Sequence, residues 1–521
     1  MLALGGAADA AMKTPIVYLI GAGPGDPWLI SVRGLRCLQK ADVVIYDHMV
    51  HPRLLRQARP EAERIDVGPA APEPLEQEAI CYLIAEKARE GKVVARLKWG
   101  DPYVFDRGGE EALFLHEHGV SFEVVPGIPI AVGAPAYAGI PLTYPGAGDT
   151  VTFVRGHEAG GSKAPRVDWA SVQKLDGTVV CYCGARQLPD VLDAMLAQGW
   201  PRTEPAALVW NGTLPEQETV QATLGELADA ARDPKFRDPA MLVVGRVAAL
   251  REHLRWFDAR PLFGKRIVVT RPRDQAAELV EALEQLGATV VEAPTVRIVP
   301  PEDFGPLDEA CAAVRQFNWI VFTSANGVDA FFARMEAGPA DVRALCGVKL
   351  CAIGPGTAER LARHGLKVDL VPPEYRAEAV IEVLRATGDL AGQSFLLPRA
   401  DIARELLAVE LRQSGALVTE VTAYRTVPVE IGRDGEPDIY RMLLDRQVDV
   451  VTFTSASTVR NFVRLYGAEP IADLLQPVAI ASIGPVTAEA AQQCGIRTTI
   501  MPSEYTIPGL VKAIVEHFEQ A

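Results

Sequence analysis

Residues 18–27 read YLIGAGPGDP, and the turn they encode decides the fold of the first half of the chain. An apolar run ends in glycines at 21, 23 and 25. At first sight this is the G-x-G-x-x-G turn that opens a helix beneath a dinucleotide pyrophosphate. Pro24, Asp26 and Pro27 do not suit that turn, because proline removes backbone donors and disrupts the helix start. Asp47 does stand about 20 residues further on, where such a fingerprint wants its acid. The stretch is read as a strand followed by a Gly/Pro turn shaped for another ligand.

Outward from it, β-branched runs alternate with helical stretches: IVYLI (16–20), DVVIY (42–46), VVARL (93–97), FEVVP (122–126), TVVCY (178–182), AALVW (206–210) and MLVVG (241–245). That rhythm predicts α/β architecture with mostly parallel strands. At LREHLRWFDARPLFGKRIVVTRPRD an amphipathic tail ends near Trp256 and Phe257, a proline joint follows, and a new strand begins. The domain boundary is expected near residue 262, giving domains 1–262 and 263–521.

Composition narrows the function. A chain of 521 residues, 49% hydrophobic and 23% charged, is too long for one core and has a globular profile. Its net charge of −15 argues against nucleic acid as a partner and requires local cations or backbone N–H groups for any anionic substrate. The eight cysteines form no C-x-x-C pair; Cys181 and Cys183 alternate on one face of a strand, so neither a disulfide framework nor a metal site is expected. The start, MLALGGAADAAMKTP, has no basic segment ahead of its apolar residues, and a cytoplasmic location is expected. The uncharged run from Val124 to Gly148 carries five prolines, so it is read as a loop-rich buried segment and not as a membrane span.

Beyond the boundary the sequence repeats itself. VFTSANGVDAFF (321–332) matches TFTSASTVRNFV (452–463), and CAIGPGTAERLARHGLKVDLVP (351–372) matches ASIGPVTAEAAQQCGIRTTIMP (481–502). The stretch 264–298 is echoed by 392–426. Each repeat runs a strand into Thr323-Ser324 or Thr454-Ser455, and another into Gly354-Pro355-Gly356-Thr357 or Gly484-Pro485-Val486-Thr487. Glycine allows close approach, Ser or Thr caps the helix, and the exposed N–H groups attract anions. Four such turns around one cleft predict a receptor for several anionic groups, although each alone is an ordinary cap.

With AYRT (423–426) and MPSEYTIPGLVKAI (501–514), these paired turns make residues 263–521 resemble uroporphyrinogen-III synthase. The resemblance implies two lobes interleaved in sequence, 263–298 with 427–521 and 299–425. It implies hydroxymethylbilane, a linear tetrapyrrole with carboxylate arms, as substrate, and neither metal nor cofactor. By position, Tyr424 is the candidate acid or orienting group; Thr323, Ser324, Gly356, Thr357, Ser455 and Thr487 would bind carboxylates, with added charge from Arg399 and Arg404.

The first half carries more than its opening turn: YDHMV (46–50), LKWGDPYVFDRGGEE (97–111), EVVPGIPIAVGAPAYAGIPLT (123–143), NGT (211–213) and MLVVGRV (241–247). In this order they resemble the tetrapyrrole methylases, and most closely uroporphyrinogen-III C-methyltransferase. The resemblance implies S-adenosylmethionine as cofactor, Asp47 as proton acceptor, and homodimers formed through the methylase domain. Pro24, Gly100, Asp101, Val104 and Gly212 match cofactor contacts, and Trp99, Pro129, Ile130 and Cys183 complete that set. There are departures. Gly68-Pro69-Ala70 stands for the family's Gly-Lys-Arg, Trp99 for the first glycine of Gly-Gly-Asp-Pro, and Pro129 for a Thr or Ser. Thr143-Tyr144-Pro145 replaces Thr-His-Arg, and Tyr182-Cys183-Gly184 replaces Tyr-Met-Gly.

The expected whole is a bifunctional tetrapyrrole enzyme whose first half, by resemblance, makes precorrin-2 for sirohaem or cobalamin from the second half's uroporphyrinogen III. The alternatives left open are a methylase half that only binds ligand or dimerises, one that methylates another substrate, and a bilobed solute-binding protein for the second half.

Overall fold

The computed structural model describes residues 15–69, 71, 74–156, 167–184, 186–231, 240–374, 377–401, 405–429 and 437–520. The start of the chain through residue 14, Ala70 and Arg404 fall outside the described residues. The chain divides into two compact units, one reaching Lys265 and including Gln285–Thr289, the other formed by Arg266–Glu284 and Val290 onward. Among the described residues no helix is long and apolar enough to cross a membrane.

The first unit holds two sheets. Strands β1 (Ile16–Gly21), β2 (Val43–Tyr46), β3 (Glu63–Asp66), β4 (Val93–Lys98) and β5 (Phe122–Val125) lie in the order β3-β2-β4-β1-β5, every pairing parallel. Each is separated from the next in sequence by a helix, as parallel pairing requires. All six residues of β4 are buried, with helices on both faces burying Val94, Ala95 and Leu97.

The second sheet takes β6 (Val151–Arg155), β7 (Thr178–Cys183), β8 (Pro205–Trp210), β9 (Glu218–Thr223) and β10 (Ala240–Val244) in the order β6-β7-β10-β8-β9. Only β6 and β7 run parallel; the other pairings are antiparallel, which corrects the expectation of mostly parallel strands for this sheet. The reason lies in the connection. Residues 211–217 join β8 to β9 without a helix, so the chain folds straight back. The uncharged segment 124–148 is also more ordered than expected, since Ile130–Tyr137 form a helix with Pro135 inside it. A helix this short loses only one backbone bond to that proline.

The second unit repeats one order of strands. β11 (Arg266–Val269), β12 (Thr289–Glu292), β18 (Val450–Phe453) and β19 (Ala479–Ser482) form the sheet β12-β11-β18-β19. β13 (Val296–Val299), β14 (Trp319–Phe322), β15 (Lys349–Ala352), β16 (Ser394–Ala400) and β17 (Leu417–Pro428) form β13-β17-β16-β14-β15. Stripped of the antiparallel edge strand β13, the second sheet repeats the first, with matching sequence blocks in matching places.

Candidate functional site

The carboxyl ends of β1, β2, β4 and β5 meet along one edge of the first sheet, where open α/β sheets hold ligands. The 21–27 turn is built there. Gly23 and Gly100 bond each other across the edge, Gly100 N–H to Gly23 O at 2.8 Å and Gly23 N–H to Gly100 O at 3.2 Å. Both need left-handed backbone, with φ of +82° and +76°. A side chain at Gly127 would stand 2.3 Å from the Gly100 carbonyl oxygen, so three backbones close up where β1, β4 and β5 end.

The second sheet completes the turn. Asp26 N–H donates to Thr213 Oγ1 at 3.0 Å, and Tyr137 O–H donates to Asp26 Oδ2 at 2.8 Å. Pro24 lies over Gly133, and Gly212 packs on Ala134, both on the Ile130–Tyr137 helix. Three non-glycine residues take left-handed backbone around this region, Phe105 (φ 54°), Asn211 (46°) and Thr213 (74°). Each costs roughly 1–3 kcal/mol, a strain characteristic of ligand clamps.

Most residues matched to cofactor contacts therefore converge. Trp99 Nε1–H donates to the Pro24 carbonyl at 2.8 Å, and Gly100 faces the Ile130 side chain, which follows Pro129. Asp101 serves the fold: its carboxylate accepts from Tyr103 N–H at 2.8 Å and Gly127 N–H at 2.9 Å. Val104 N–H closes the same turn onto Asp101 O at 3.4 Å. Cys183 presents its side chain away from this group. Its side chain is buried with Trp169 and Leu188 on one face of the sheet, while Tyr182 turns to the other and accepts from Ala131 N–H at 3.2 Å. Alternation along β7 makes Tyr182, edge-on to Phe105 at 5.0 Å, the side chain on the Ile130 side.

Behind Asp47 stands a charge network that sequence reasoning missed. Arg96 Nη2 donates to Asp47 Oδ1 at 2.7 Å and Arg96 Nε to Glu111 Oε1 at 3.2 Å. Lys98 Nζ reaches Glu111 Oε1 at 2.9 Å and Asp106 at 3.0 Å. Arg96, Lys98 and Glu111 have side chains 1%, 1% and 0% exposed, against 25% for Asp47. Burial works to raise the Glu111 pKa, yet Arg96 and Lys98 overcome it and hold the carboxyl below its ordinary value. Burial raises that of Asp106 despite Lys98. The available signal was Arg96-x-Lys98, charges at period two within an otherwise apolar strand.

His51 caps the short helix Pro52–Arg56, its Nδ1 accepting from Arg53 N–H at 3.2 Å. Burial and neighbouring Arg53 bring its imidazole down to about 4, against the pull of Asp26 and Glu216. Because the unfolded chain takes the proton at about 6.5, His51 favours folding above that pH and opposes it as pH falls toward 4. Urea melts should show about 2 kcal/mol of stability lost from this group between pH 8 and pH 5, and His51→Asn should remove that part of the slope. An unchanged slope would refute it.

In the second unit, Ser324 and Ser455 cap the helices Ala325–Ala337 and Ala456–Tyr466, with φ of −162° and −161°. Ser324 Oγ accepts from Gly327 N–H at 3.0 Å and lies 3.0 Å from the Tyr424 hydroxyl. Thr323 immediately precedes that cap. At the other two turns the caps are Gly354 and Gly484, each followed by proline. Thr357 and Thr487 sit one turn in and are 6% and 4% exposed, so they do not cap as expected. Glycine caps and proline at the first helical position already set the entry geometry. Gly356 is exposed with open space beside it. Arg399 pairs with Glu420 on the adjacent strand, which accepts from Arg412 as well at 2.7 Å.

Comparison with known proteins follows the same division. The family described as Tetrapyrrole (Corrin/Porphyrin) Methylases matches residues 16–228, and Uroporphyrinogen-III synthase HemD matches residues 277–512. The chain is 35% identical over 507 residues to Porphyrin biosynthesis protein HemD of Ruminiclostridium josui, covering 97% of this chain and 98% of that one. It is 33% identical over 371 residues to Uroporphyrinogen-III C-methyltransferase of Bacillus subtilis, covering 71% and 76%. The crystal structure of uroporphyrin-III C-methyl transferase from Thermus thermophilus complexed with S-adenyl homocysteine is 37% identical, with a TM-score of 0.40, covering 45% of this chain and 99% of that one.

Proposed function

The chain belongs to the family of Porphyrin biosynthesis protein HemD, an enzyme uniting a tetrapyrrole methylase with a uroporphyrinogen-III synthase, and from that premise we propose the reactions its two sites perform. The second half, from about residue 263, closes hydroxymethylbilane to uroporphyrinogen III with ring D inverted, releasing one water. The first half, up to about residue 262, methylates that product with S-adenosylmethionine at two ring carbons to give precorrin-2. What supports the first-half reading most is the convergence of Pro24, Trp99, Gly100, Ile130 and Gly212 at the sheet edge where β2 ends in an Asp47 held by a buried arginine.

The cofactor-side residues suit S-adenosylmethionine. Closely packed glycine backbone, the Ile130 side chain and the aromatic Tyr182 and Phe105 offer main-chain and apolar contacts, with Pro24 and Trp99 at the Gly/Pro turn. When bound, the cofactor supplies a methyl group on a sulfonium. The chain's own work is positioning and proton removal. Asp47 takes the proton lost from the methylated ring, and Arg96 fixes its Oδ1 so that Oδ2 is left for that task.

In the second half, water must leave from the hydroxymethyl end. Ser324 Oγ already accepts from Gly327 N–H, so its own proton can go to the Tyr424 oxygen. That frees the phenol proton for the departing hydroxyl. Tyr424→Phe should lower kcat for ring closure about tenfold to a hundredfold with little change in KM. An unchanged kcat in an anaerobic uroporphyrinogen assay would remove Tyr424 from this role.

The deciding experiment is a coupled anaerobic reaction of the full chain with hydroxymethylbilane and S-adenosylmethionine, read by absorbance and mass. A product two methyl groups heavier than uroporphyrinogen III supports both steps. Unmethylated uroporphyrinogen III alone would favour a second reading, a first half that binds without turnover. That reading has its own observations: Pro69 offers no side-chain donor, and Trp99 occupies the Pro24 carbonyl.

A further inference from the structure

The repeats align residue by residue over 264–298 and 392–426, setting Arg271 opposite Arg399 and Glu292 opposite Glu420. Their surroundings differ. Arg399 is neutralised by Glu420 of the neighbouring strand. Arg271, just beyond β11, makes no ion pair among the described residues; its polar contact is Nη2–H to Gln275 Oε1, at 3.5 Å. Its guanidinium is partly buried, and burial lowers its pKa, with Glu278 acting the other way from a distance. A desolvated cation without a partner is costly. The fold supplies the partner in one repeat and omits it in the other.

The position is informative. Val269 pairs with Thr452, so two residues on Arg271 comes level with Thr454, next to the cap Ser455. Phe453 pairs with Ser482, which brings Gly484 level with Ser455. Arg271 therefore shares one sheet edge with the amino ends of helices of 11 and 9 residues. On its other side, Gln275 Nε2–H donates to Asn326 Oδ1 at 3.0 Å. Asn326 lies in the first turn of the helix whose cap, Ser324, meets Tyr424. The contact that Arg271 does make thus leads, through Gln275 and Asn326, to the helix whose cap meets the candidate acid.

We propose that Arg271 is a substrate-binding residue of the synthase half, taking one carboxylate arm of the linear tetrapyrrole as the partner its repeat lacks. The proposal rests on the reading of that half given above. Guanidinium and carboxylate match in a two-bond fork, and a chain of net charge −15 needs such a local cation.

The test uses the full chain and its Arg271→Gln and Arg271→Lys variants. Steady-state ring closure of hydroxymethylbilane is measured alongside fluorescence titration with uroporphyrin III, an octacarboxylate probe. Arg271→Gln should raise KM and weaken uroporphyrin binding by about 10-fold to 100-fold, while kcat changes far less. Arg271→Lys, which keeps the charge but not the fork, should fall between. It also decides the matter if the glutamine variant does not fold: lysine-variant affinity equal to wild type would overturn the proposal. So would unchanged KM and affinity in a folded glutamine variant. A wild-type chain that neither closes hydroxymethylbilane nor binds uroporphyrin would instead overturn the synthase reading itself.

Discussion

Glu111→Leu should unfold the first half of the enzyme under mild conditions, lowering its stability by about 3–5 kcal/mol. Glu111 is fully buried, and its Oε1 accepts from Arg96 Nε at 3.2 Å, Lys98 Nζ at 2.9 Å and Gln77 Nε2 at 3.1 Å. Leucine fits the volume but leaves two cations, each 1% exposed, to share Asp47 and Asp106 at the rim. Removing one partner of a buried pair costs more than the pair itself contributes, because the remaining charge cannot reach water. Glu111→Gln keeps the shape and an acceptor and should lose less. Urea melts followed by tryptophan fluorescence suit the question, since six of the seven tryptophans precede residue 265 and only Trp319 follows it. A loss under about 1 kcal/mol would show that Asp47 and Asp106 compensate.

Asp47→Asn should cut methyl transfer by about 10²-fold to 10⁴-fold, the range for removing a positioned general base. The carboxylate stands at the carboxyl end of β2 with one oxygen on Arg96 and the side chain 25% exposed, which is enough to reach a ligand at the rim. Asparagine preserves the Arg96 contact through its amide oxygen and removes the basic oxygen, so cofactor binding should persist while turnover falls. Single-turnover methylation of supplied uroporphyrinogen III, with cofactor affinity from calorimetry, separates the two effects. Ring closure in the other half is the internal control. Turnover within about threefold of wild type would mean that another group or water accepts the proton.

Much of this architecture was legible because it rests on local rules. A strand that runs into Ser and then a helix must cap it, so Ser324 and Ser455 were readable. The turns around Pro24, Gly100 and Gly212 were picked out by their ordered match to the methylases, and in the structure glycine stands there where backbones nearly touch. What escaped depends on which face a side chain takes and which strand lies beside it. Cys183 and Tyr182 differ by one step along β7, and that step reverses their sides of the sheet. The reversal of β8 and β9 lay in the connection between them and not in either strand's pattern. Glu111 is one of two acids in the first turn of its helix, and only the fold brings it under Arg96 and Lys98.

The bonds from Asp26 to Tyr137 and Thr213 join segments 111 and 187 residues apart in sequence. During synthesis the Gly/Pro turn leaves the ribosome early, but its shape waits for both. A nascent chain stopped before residue 213 could pair its first five strands and still lack a finished pocket. The site therefore matures late in translation, after most of the methylase half has emerged.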